Sequence, residues 1–511
     1  MNDTAHAAPG SAHALDSART LWDLLARRAA LSPDRPVLLQ DDRSLTFGEL
    51  HDRAERVAAG LHDLGVRPGT VVAWQLPTRL ETAVLSFALT RLGAVQSPVI
   101  PFYRDREVGF ALRESKAEFF AVPGVWRGFD YGDMARRLGA KGVFEAYDDL
   151  PDGDPAVLPA PPAEGESVRW IYWTSGTTSD PKGVLHTDRS LIAGGSCLAH
   201  ALHLSEHDVG SMAFPYAHIA GPDYTVMLLL YGFPAVMFEQ FALPDALEGY
   251  RRHGVTVAGG STAFYSMFLV EQRKQPGVPV IPSLRLLAGG GAPKPPEVYH
   301  AVVREMGVQL THGYGMTEVP MITMGSPDDT VENLATTEGR PPEGMEIRVV
   351  DGEVRLRGEA VCRGYLDPAQ TAAAFDEEGF LRTGDLGLLT GSGHLVLTGR
   401  LKDVIIRKGE NVSAKEIEDL LAAHPVVGDV AVIGLPDAER GERVCAVIER
   451  TPGAETAELT LAALTSYLRA QGLSVHKLPE QLEVVDALPR NETLRKVLKY
   501  KLRERFSGAG G

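Results

Sequence analysis

Early in the chain, TFGELHDRAERVAAGLHDLG repeats apolar residues at Leu50, Ala54, Val57 and Leu61, and Thr46 stands three positions before Glu49. This spacing predicts an amphipathic helix with a capping box at its start and Gly65 at its end. Two short apolar runs follow, VVAWQL from Val71 and AVQSPV from Ala94, with a helical stretch around Ala83 to Leu92 between them. Strand, helix and strand at such spacing predict parallel βαβ units. Pro151 to Ser167 is rich in proline and acid and reads as a connecting loop, and VRWIYW directly after it reads as a buried strand. In EIRVVDGEVRLRG, Asp351-Gly352 separates two alternating apolar segments, a hairpin signal. Beyond about Arg400 the pattern becomes that of a small α+β unit. It offers a helix (AKEIEDLLAAH), strands (VAVIGL and VCAVIE), a helix near Leu461 to Leu468, a strand (LEVV) and a basic final helix.

Length agrees with this division. At 511 residues two unequal domains are expected. The pattern gives a loose tail over 1–18, a large α/β unit over 19–400 and a small α+β unit over 401–511. The tail, MNDTAHAAPGSAHALDS, has an early acid and no apolar core, unlike a secretory signal. Tyr224 to Phe238 is apolar for 15 residues but is broken by Gly232 and Pro234, so it predicts a buried helix and a strand, not a membrane span. The uncharged run from Gly254 to Val270 is interrupted by Gly259, Gly260 and Ser261. A net charge of −16 argues against a nucleic-acid partner. Cys197, Cys362 and Cys445 are far apart and form no CxxC pair, so neither a disulfide framework nor a zinc site is expected, and a cytoplasmic location fits.

Candidate chemistry starts at residues 172–183, YWTSGTTSDPKG, where six small hydroxyl or glycine residues (Thr174 to Ser179) precede one cation, Lys182. Many backbone amides and hydroxyls beside a single lysine, directly after a strand, suit a polyphosphate. The loop is not a Walker A sequence, because no Gly-Lys-Ser/Thr follows at the required offset. Later segments offer what else a nucleotide site needs. THGYGMTE sets an aromatic ring, Tyr314, near Thr317 and Glu318, a carboxylate able to hold Mg²⁺ against phosphates. RTGDLG presents Asp385 beside a tight turn as an acceptor for ribose hydroxyls, and GRLKD adds Arg400. Singly, each segment is as well explained by an ordinary turn or a core residue.

Taken in this order, YWTSGTTSDPKGVLHT, FPYAHIAG, THGYGMTE, GFLRTGDLG and GRLKDVIIRKGENVSAKEIE resemble the adenylate-forming superfamily of acyl-CoA synthetases, nonribosomal adenylation domains and firefly luciferase. The likeness runs from Tyr172 to Glu418 and, more weakly, over nearly the whole chain. It implies doubly wound sheets packed with helices plus a small β region in the large domain, followed by a smaller, mobile C-terminal domain. It also implies that ATP, Mg²⁺ and coenzyme A are used. Thr174, Ser175, Gly176, Thr177, Thr178 and Lys182 would hold the outer phosphates, with Thr178 and Glu318 serving the metal. Gly291, Ala292 and Tyr314 would line the adenine slot, Gly315 and Thr317 would belong to the same nucleotide site, and Asp385 with Arg400 would hold the ribose. A hinge at Lys402 would turn the small domain and bring Gly409 to a pantetheine tunnel. The family's terminal LPRxxxGK reads LPRNETLRKVLKYKL here, so its catalytic lysine falls to Lys496, with Arg495 as the rival.

Pro215 after Phe214 replaces the aspartate by which amino-acid-activating relatives bind an amino group, although Asp223 is close in sequence. The acyl pocket is expected from Ala217, Ala220, Gly221, Ser261, Gly289 and Gly290, small residues that leave volume for an apolar group, together with His218. His218 either caps this pocket near the carboxylate, as a catalytic residue beside Lys496, Lys182 and Glu318, or is simply packed. Thr262 stands where many relatives have proline. The expected enzyme is an acid–thiol ligase for a medium-to-long, carbocyclic or aromatic carboxylic acid. The alternatives are an acyl-AMP ligase loading a separate carrier protein, and a nucleotide-binding protein without turnover. A homodimer is compatible with the sequence.

Overall fold

The Thr46 hydroxyl accepts from the Glu49 amide and the Glu49 carboxylate accepts from the Thr46 amide, so the capping box forms and starts the helix Phe47–Asp63. This is seen in a computed structural model of the chain that describes residues 15, 17–147, 150–174, 181–437, 439–451, 453, 459–490 and 496–507. The strands Val71–Trp74 and Val95–Pro98 lie parallel on either side, in sequence, of the helix Leu80–Leu92. They sit in a sheet ordered Lys182–Thr187, Val168–Thr174, Val95–Pro98, Val71–Trp74, Phe119–Val122, Val143–Glu145. Only the Lys182–Thr187 edge runs antiparallel to its neighbour.

A second sheet joins Val257–Gly260, Leu286–Gly290 and Gln309–Met316 in parallel and adds Val319–Met324 antiparallel. A third combines Gly210–Met212, Ala235–Met237, Pro36–Gln40 and Arg43–Thr46. Between the sheets lie helices such as Ala220–Tyr231, buried on nearly every face, as its apolar sequence requires. An antiparallel meander follows, built from Met345–Val350, Glu353–Gly358, Leu381–Leu389 and Leu395–Arg400. Its first turn is the Asp351-Gly352 pair, with φ of 53° and 81°, the left-handed pair that a two-residue hairpin demands.

The last part of the chain has its own core. Along Val427–Asp437, Val430 and Val432 pack with Ile417, Leu421, Leu464 and Leu468, whereas Ala431, Ile433 and Leu435 pack with Leu502 and Phe506. Alternation along one strand therefore gives the sheet two covered faces. The final helix is shorter than its basic pattern predicts and spans Lys499–Phe506. Lys496 precedes it because the Leu498 amide donates to the Pro489 carbonyl at 2.7 Å, and Val497 bridges Arg490, in place of helical bonds. The three cysteines are buried and free. No helix among the described residues is long and apolar enough to cross a membrane.

Candidate active site

The parallel strands of the second sheet end in glycines, and a side chain at these positions would collide with neighbouring backbone. A Cβ on Gly289 would lie 2.1 Å from the Gly260 carbonyl oxygen, and one on Gly290 2.4 Å from that of Gly313. The carboxyl ends of these strands are thus bare, and this is where α/β sheets bind ligands. Gly291 and Ala292 continue from the ledge. The Ala292 carbonyl is held by His312 Nε2 at 2.9 Å and by the Thr262 hydroxyl at 3.3 Å, so the threonine ties down this segment.

Thr317 and Glu318 form the turn between Gln309–Met316 and Val319–Met324. Gly315 is required here, since a Cβ would meet the Pro320 carbonyl oxygen at 2.3 Å. The turn is fixed from two sides: buried His186 bonds the Thr317 carbonyl at 2.7 Å, and the Cys362 amide donates to the Glu318 carbonyl at 2.8 Å. Burial pushes His186 down to about 4, so it acts as a neutral strut. Residues 362–366 lie along the edge strand, with Leu366 N–H donating to Gly183 O and Leu185 N–H to Gly364 O at 2.9 Å. This register puts the Tyr365 hydroxyl 2.8 Å from Glu318 Oε1 and its ring 5.1 Å beneath the Lys182 ammonium. Lys182, Tyr365 and Glu318 thus form one connected group.

Asp385 does not sit beside a tight turn, as its sequence predicts, but in a bulge within Leu381–Leu389. Opposite Glu353–Gly358 the pairing jumps from Arg382 to Leu386, leaving Thr383 to Asp385 extruded with Gly384 at φ 70°. Thr383 accepts from the Asp385 amide at 3.0 Å and Glu353 from the Gly384 amide at 3.1 Å. The bulge aims the Asp385 carboxylate inward. Its Oδ2 accepts from the Tyr314 hydroxyl, and its Oδ1 meets Arg400 Nε at 2.8 Å from the directly paired position on the next strand.

Lys496 arrives from the small unit. Burial first, then the Arg400 cation, lower its ammonium to about 8; Lys402 acts the same way, and the Asp385 and Glu318 carboxylates oppose them. The same ammonium, after burial, helps press His218 down to about 3. The His218 Nδ1 accepts from the Ala220 amide at 3.2 Å, which leaves the proton on Nε2. Lys496, His218, Glu318, Asp385 and Arg400 are therefore brought to one place. Across the unit boundary, the Ser413 hydroxyl donates to the Thr398 carbonyl at 2.8 Å.

Other expected residues are placed differently. Ser175, Gly176, Thr177, Thr178 and Arg495 lie outside the described residues. Ala217 and Ser261 are fully covered, and Gly221 packs against the Tyr216 carbonyl, whereas His218, Ala220, Gly289 and Gly290 keep partial exposure. Gly409 occupies the exposed tip of the hairpin Val404–Arg407/Glu410–Ser413, whose Arg407 and Lys408 pair with Glu480 and Glu439 of the small unit itself. Lys402 lies in the short turn Leu401–Asp403. Sequence reasoning missed Tyr365 and His186. GVLHT was read as part of the phosphate-loop motif, but nothing in RGYLD signals contact with a glutamate 47 positions earlier.

Comparison with known proteins agrees with this arrangement. The family profile described as AMP-binding enzyme matches residues 25–366, and that of the AMP-binding enzyme C-terminal domain matches 416–494. The chain is 34% identical to the salicyl-AMP ligase / salicyl-S-ArCP synthetase of Mycobacterium tuberculosis, over 93% of this chain and 88% of that one. It is 30% identical to the medium-chain fatty-acid–CoA ligase of Escherichia coli, over 95% and 90%. Among solved structures, ATP-bound MatB from Rhodopseudomonas palustris superposes with a TM-score of 0.85 at 29% identity, covering 96% of this chain and all of that one. The chain belongs to the AMP-binding family of adenylate-forming ligases.

Proposed function

We propose that this ligase joins a carboxylic acid to the α-phosphate of ATP, releases pyrophosphate, and passes the acyl group to the thiol of coenzyme A. The observation that carries the reading is the convergence of Lys496 with Glu318, Asp385, Arg400 and His218. In the first step a carboxylate oxygen attacks the α-phosphorus as the bond to pyrophosphate breaks. Both partners are anions, so a cation held between them lowers the barrier. Lys496 fills that position, half-buried and within the field of the Asp385 and Glu318 carboxylates. Lys182, seated over Tyr365, faces the outer phosphates. Asp385 keeps a lone pair on each oxygen for a ribose hydroxyl, and Tyr314 is oriented by its bond to Asp385. His218 is neutral, so its Nε2–H donates to the acid without adding charge.

The donor set fits magnesium. Among the described residues no group of three metal-ligating side chains cages an ion, and Glu318 supplies one carboxylate, as suits an ion that takes phosphate and water oxygens for the rest of its shell. Such an ion supplies neutralising charge at the phosphates. Glu318 would bind it, with Tyr365 orienting the carboxylate.

In the second step the thiol attacks the acyl carbon and AMP leaves. Turning the small unit at Lys402 would withdraw Lys496 and present Gly409. The acid is a medium-to-long, carbocyclic or aromatic one, supported by the bare glycine ledge. A carrier-protein acceptor is the second reading, since the salicyl-AMP relative also carries a carrier-loading name. A pyrophosphate-release screen over aliphatic, alicyclic and aromatic acids, with and without coenzyme A and with products weighed by mass spectrometry, tests the reading. Acyl-CoA formation supports it. Stalling at acyl-AMP favours the carrier alternative, and silence across the panel removes the activity.

A further inference from the structure

The residue after Lys402 reaches a hundred positions along the chain to the last helix. Asp403 closes the turn Leu401–Asp403, and its Oδ1 accepts from Arg503 Nη2 at 2.9 Å on the helix Lys499–Phe506. One turn earlier on the same helix face, Lys499 Nζ meets Glu418 Oε1 at 2.7 Å, and that oxygen also accepts from the Val432 amide of the sheet at 2.7 Å. Burial works to raise the Asp403 carboxyl, but Lys499, Arg503 and Lys402 outweigh it and hold it below the usual carboxylate range. Two carboxylates, one from the turn and one from the helix Ala414–Ala422, thus grip two cations of the last helix.

Elsewhere on this helix, Leu502 and Phe506 are seated on Ala431, Ile433 and Leu435. That contact holds the helix to the sheet without fixing its roll, because hydrophobic burial is non-directional. Half-buried ion pairs add little net stability for the desolvation they cost. What Asp403 and Glu418 add is direction. Lys496 stands three residues before Lys499, and the chain between them is pinned where the Leu498 amide donates to the Pro489 carbonyl at 2.7 Å. A roll of the helix start is therefore passed on to the Lys496 ammonium.

We propose that Asp403 and Arg503 are positioning residues for adenylation: their ion pair ties the helix behind Lys496 to the turn at Lys402, so the turn that orients the small unit also sets the Lys496 ammonium. The inference rests on the reading above, in which Lys496 lies between the carboxylate and the α-phosphate, and adds the residues that aim it. Each acts through the helix. A reacting group misplaced by about 1 Å can cost about a hundredfold in rate, so a loosened helix is felt at the chemical step.

The test measures single-turnover acyl-AMP formation per ATP-binding site, with sites counted by nucleotide titration so that differences in folded fraction cancel. Octanoate, cyclohexanecarboxylate and benzoate are the acids, and the one that the wild type activates fastest is used throughout. Asp403→Asn and Arg503→Gln should each slow the step about tenfold or more while the Kd for ATP stays within about twofold of wild type. Arg503→Lys should recover part of the rate, and the double variant should be no slower than either single one, as for two ends of one contact. A wild-type rate in both single variants overturns the inference. So does a loss matched by weaker ATP binding, or a double variant whose losses multiply. Lys496→Ala separates the two levels: if it too forms acyl-AMP at the wild-type rate, or if the wild type activates none of the acids, the adenylation reading falls with the inference. A slow Lys496→Ala beside unimpaired Asp403→Asn and Arg503→Gln removes the inference alone.

Discussion

Tyr365 donates its hydroxyl to Glu318 Oε1 at 2.8 Å, and the same ring lies 5.1 Å under the Lys182 ammonium. One phenol thus touches both charged groups proposed to face the phosphates. Tyr365→Phe keeps the ring and loses the hydroxyl. It should lower kcat about tenfold and raise the magnesium concentration needed for half-maximal rate, in line with about 1–1.5 kcal/mol for one hydrogen bond. Glu318→Gln should cost a hundredfold or more. An unchanged magnesium dependence in Tyr365→Phe would dissociate the tyrosine from the metal.

The Tyr314–Asp385 bond predicts a binding effect rather than a chemical one. Tyr314→Phe frees Asp385 Oδ2 and leaves the ring beside the adenine slot, so KM for ATP should rise several-fold while kcat changes little. Steady-state kinetics at saturating acid reads the split. A fall in kcat alone would place Tyr314 in the chemistry instead.

Lys496 gives the pH prediction. With its ammonium lowered to about 8, the cation needed for adenylation is present below that pH and disappears as pH rises through it. The kcat/KM profile for ATP, which reports the free enzyme, should fall on the alkaline side near pH 8. Lys496→Arg should be slower overall but lose that alkaline limb, because arginine stays charged. If the limb persists in Lys496→Arg, another group produces it.

Asp223 gives a pH prediction for stability. Its pKa is about 8 folded and 3.8 unfolded, so between these values the folded state holds a proton that the unfolded state has lost. Its contribution to stability is complete below pH 3.8 and is lost as pH rises toward 8, at up to about 1.4 kcal/mol per pH unit. Asp223→Asn should lack this slope, so the Tm of the wild type should fall relative to the variant between pH 5 and pH 8. Parallel Tm curves would show that Asp223 does not bury a proton.

Much of the fold is legible because its signals are local. The Thr46 capping box, the Asp351-Gly352 hairpin and the alternation in the small unit each lie within a dozen residues and need no partner elsewhere. The glycines and the Thr317-Glu318 turn are similarly compact. Tyr365 is not legible, since its role arises only when residues 362–366 zip onto the edge strand beside Lys182. Nor is the bulge at Asp385, which depends on a register set by the strand Glu353–Gly358. The sequence places Lys496 by resemblance, but its position ahead of the last helix follows from the Leu498–Pro489 backbone bond. Asp223 shows itself as a buried acid only once helix Ala220–Tyr231 is packed on helix Asp188–Ala201.

The account turns on Lys496 being carried by the small unit into the adenylating centre. The direct measurement separates the half-reactions in Lys496→Ala: acyl-AMP formation from acid and ATP, and thioester formation from coenzyme A and supplied acyl-AMP. The first should fall a hundredfold or more while the second stays within a few-fold of wild type. Equal losses in both, or an unimpaired first step, would contradict it.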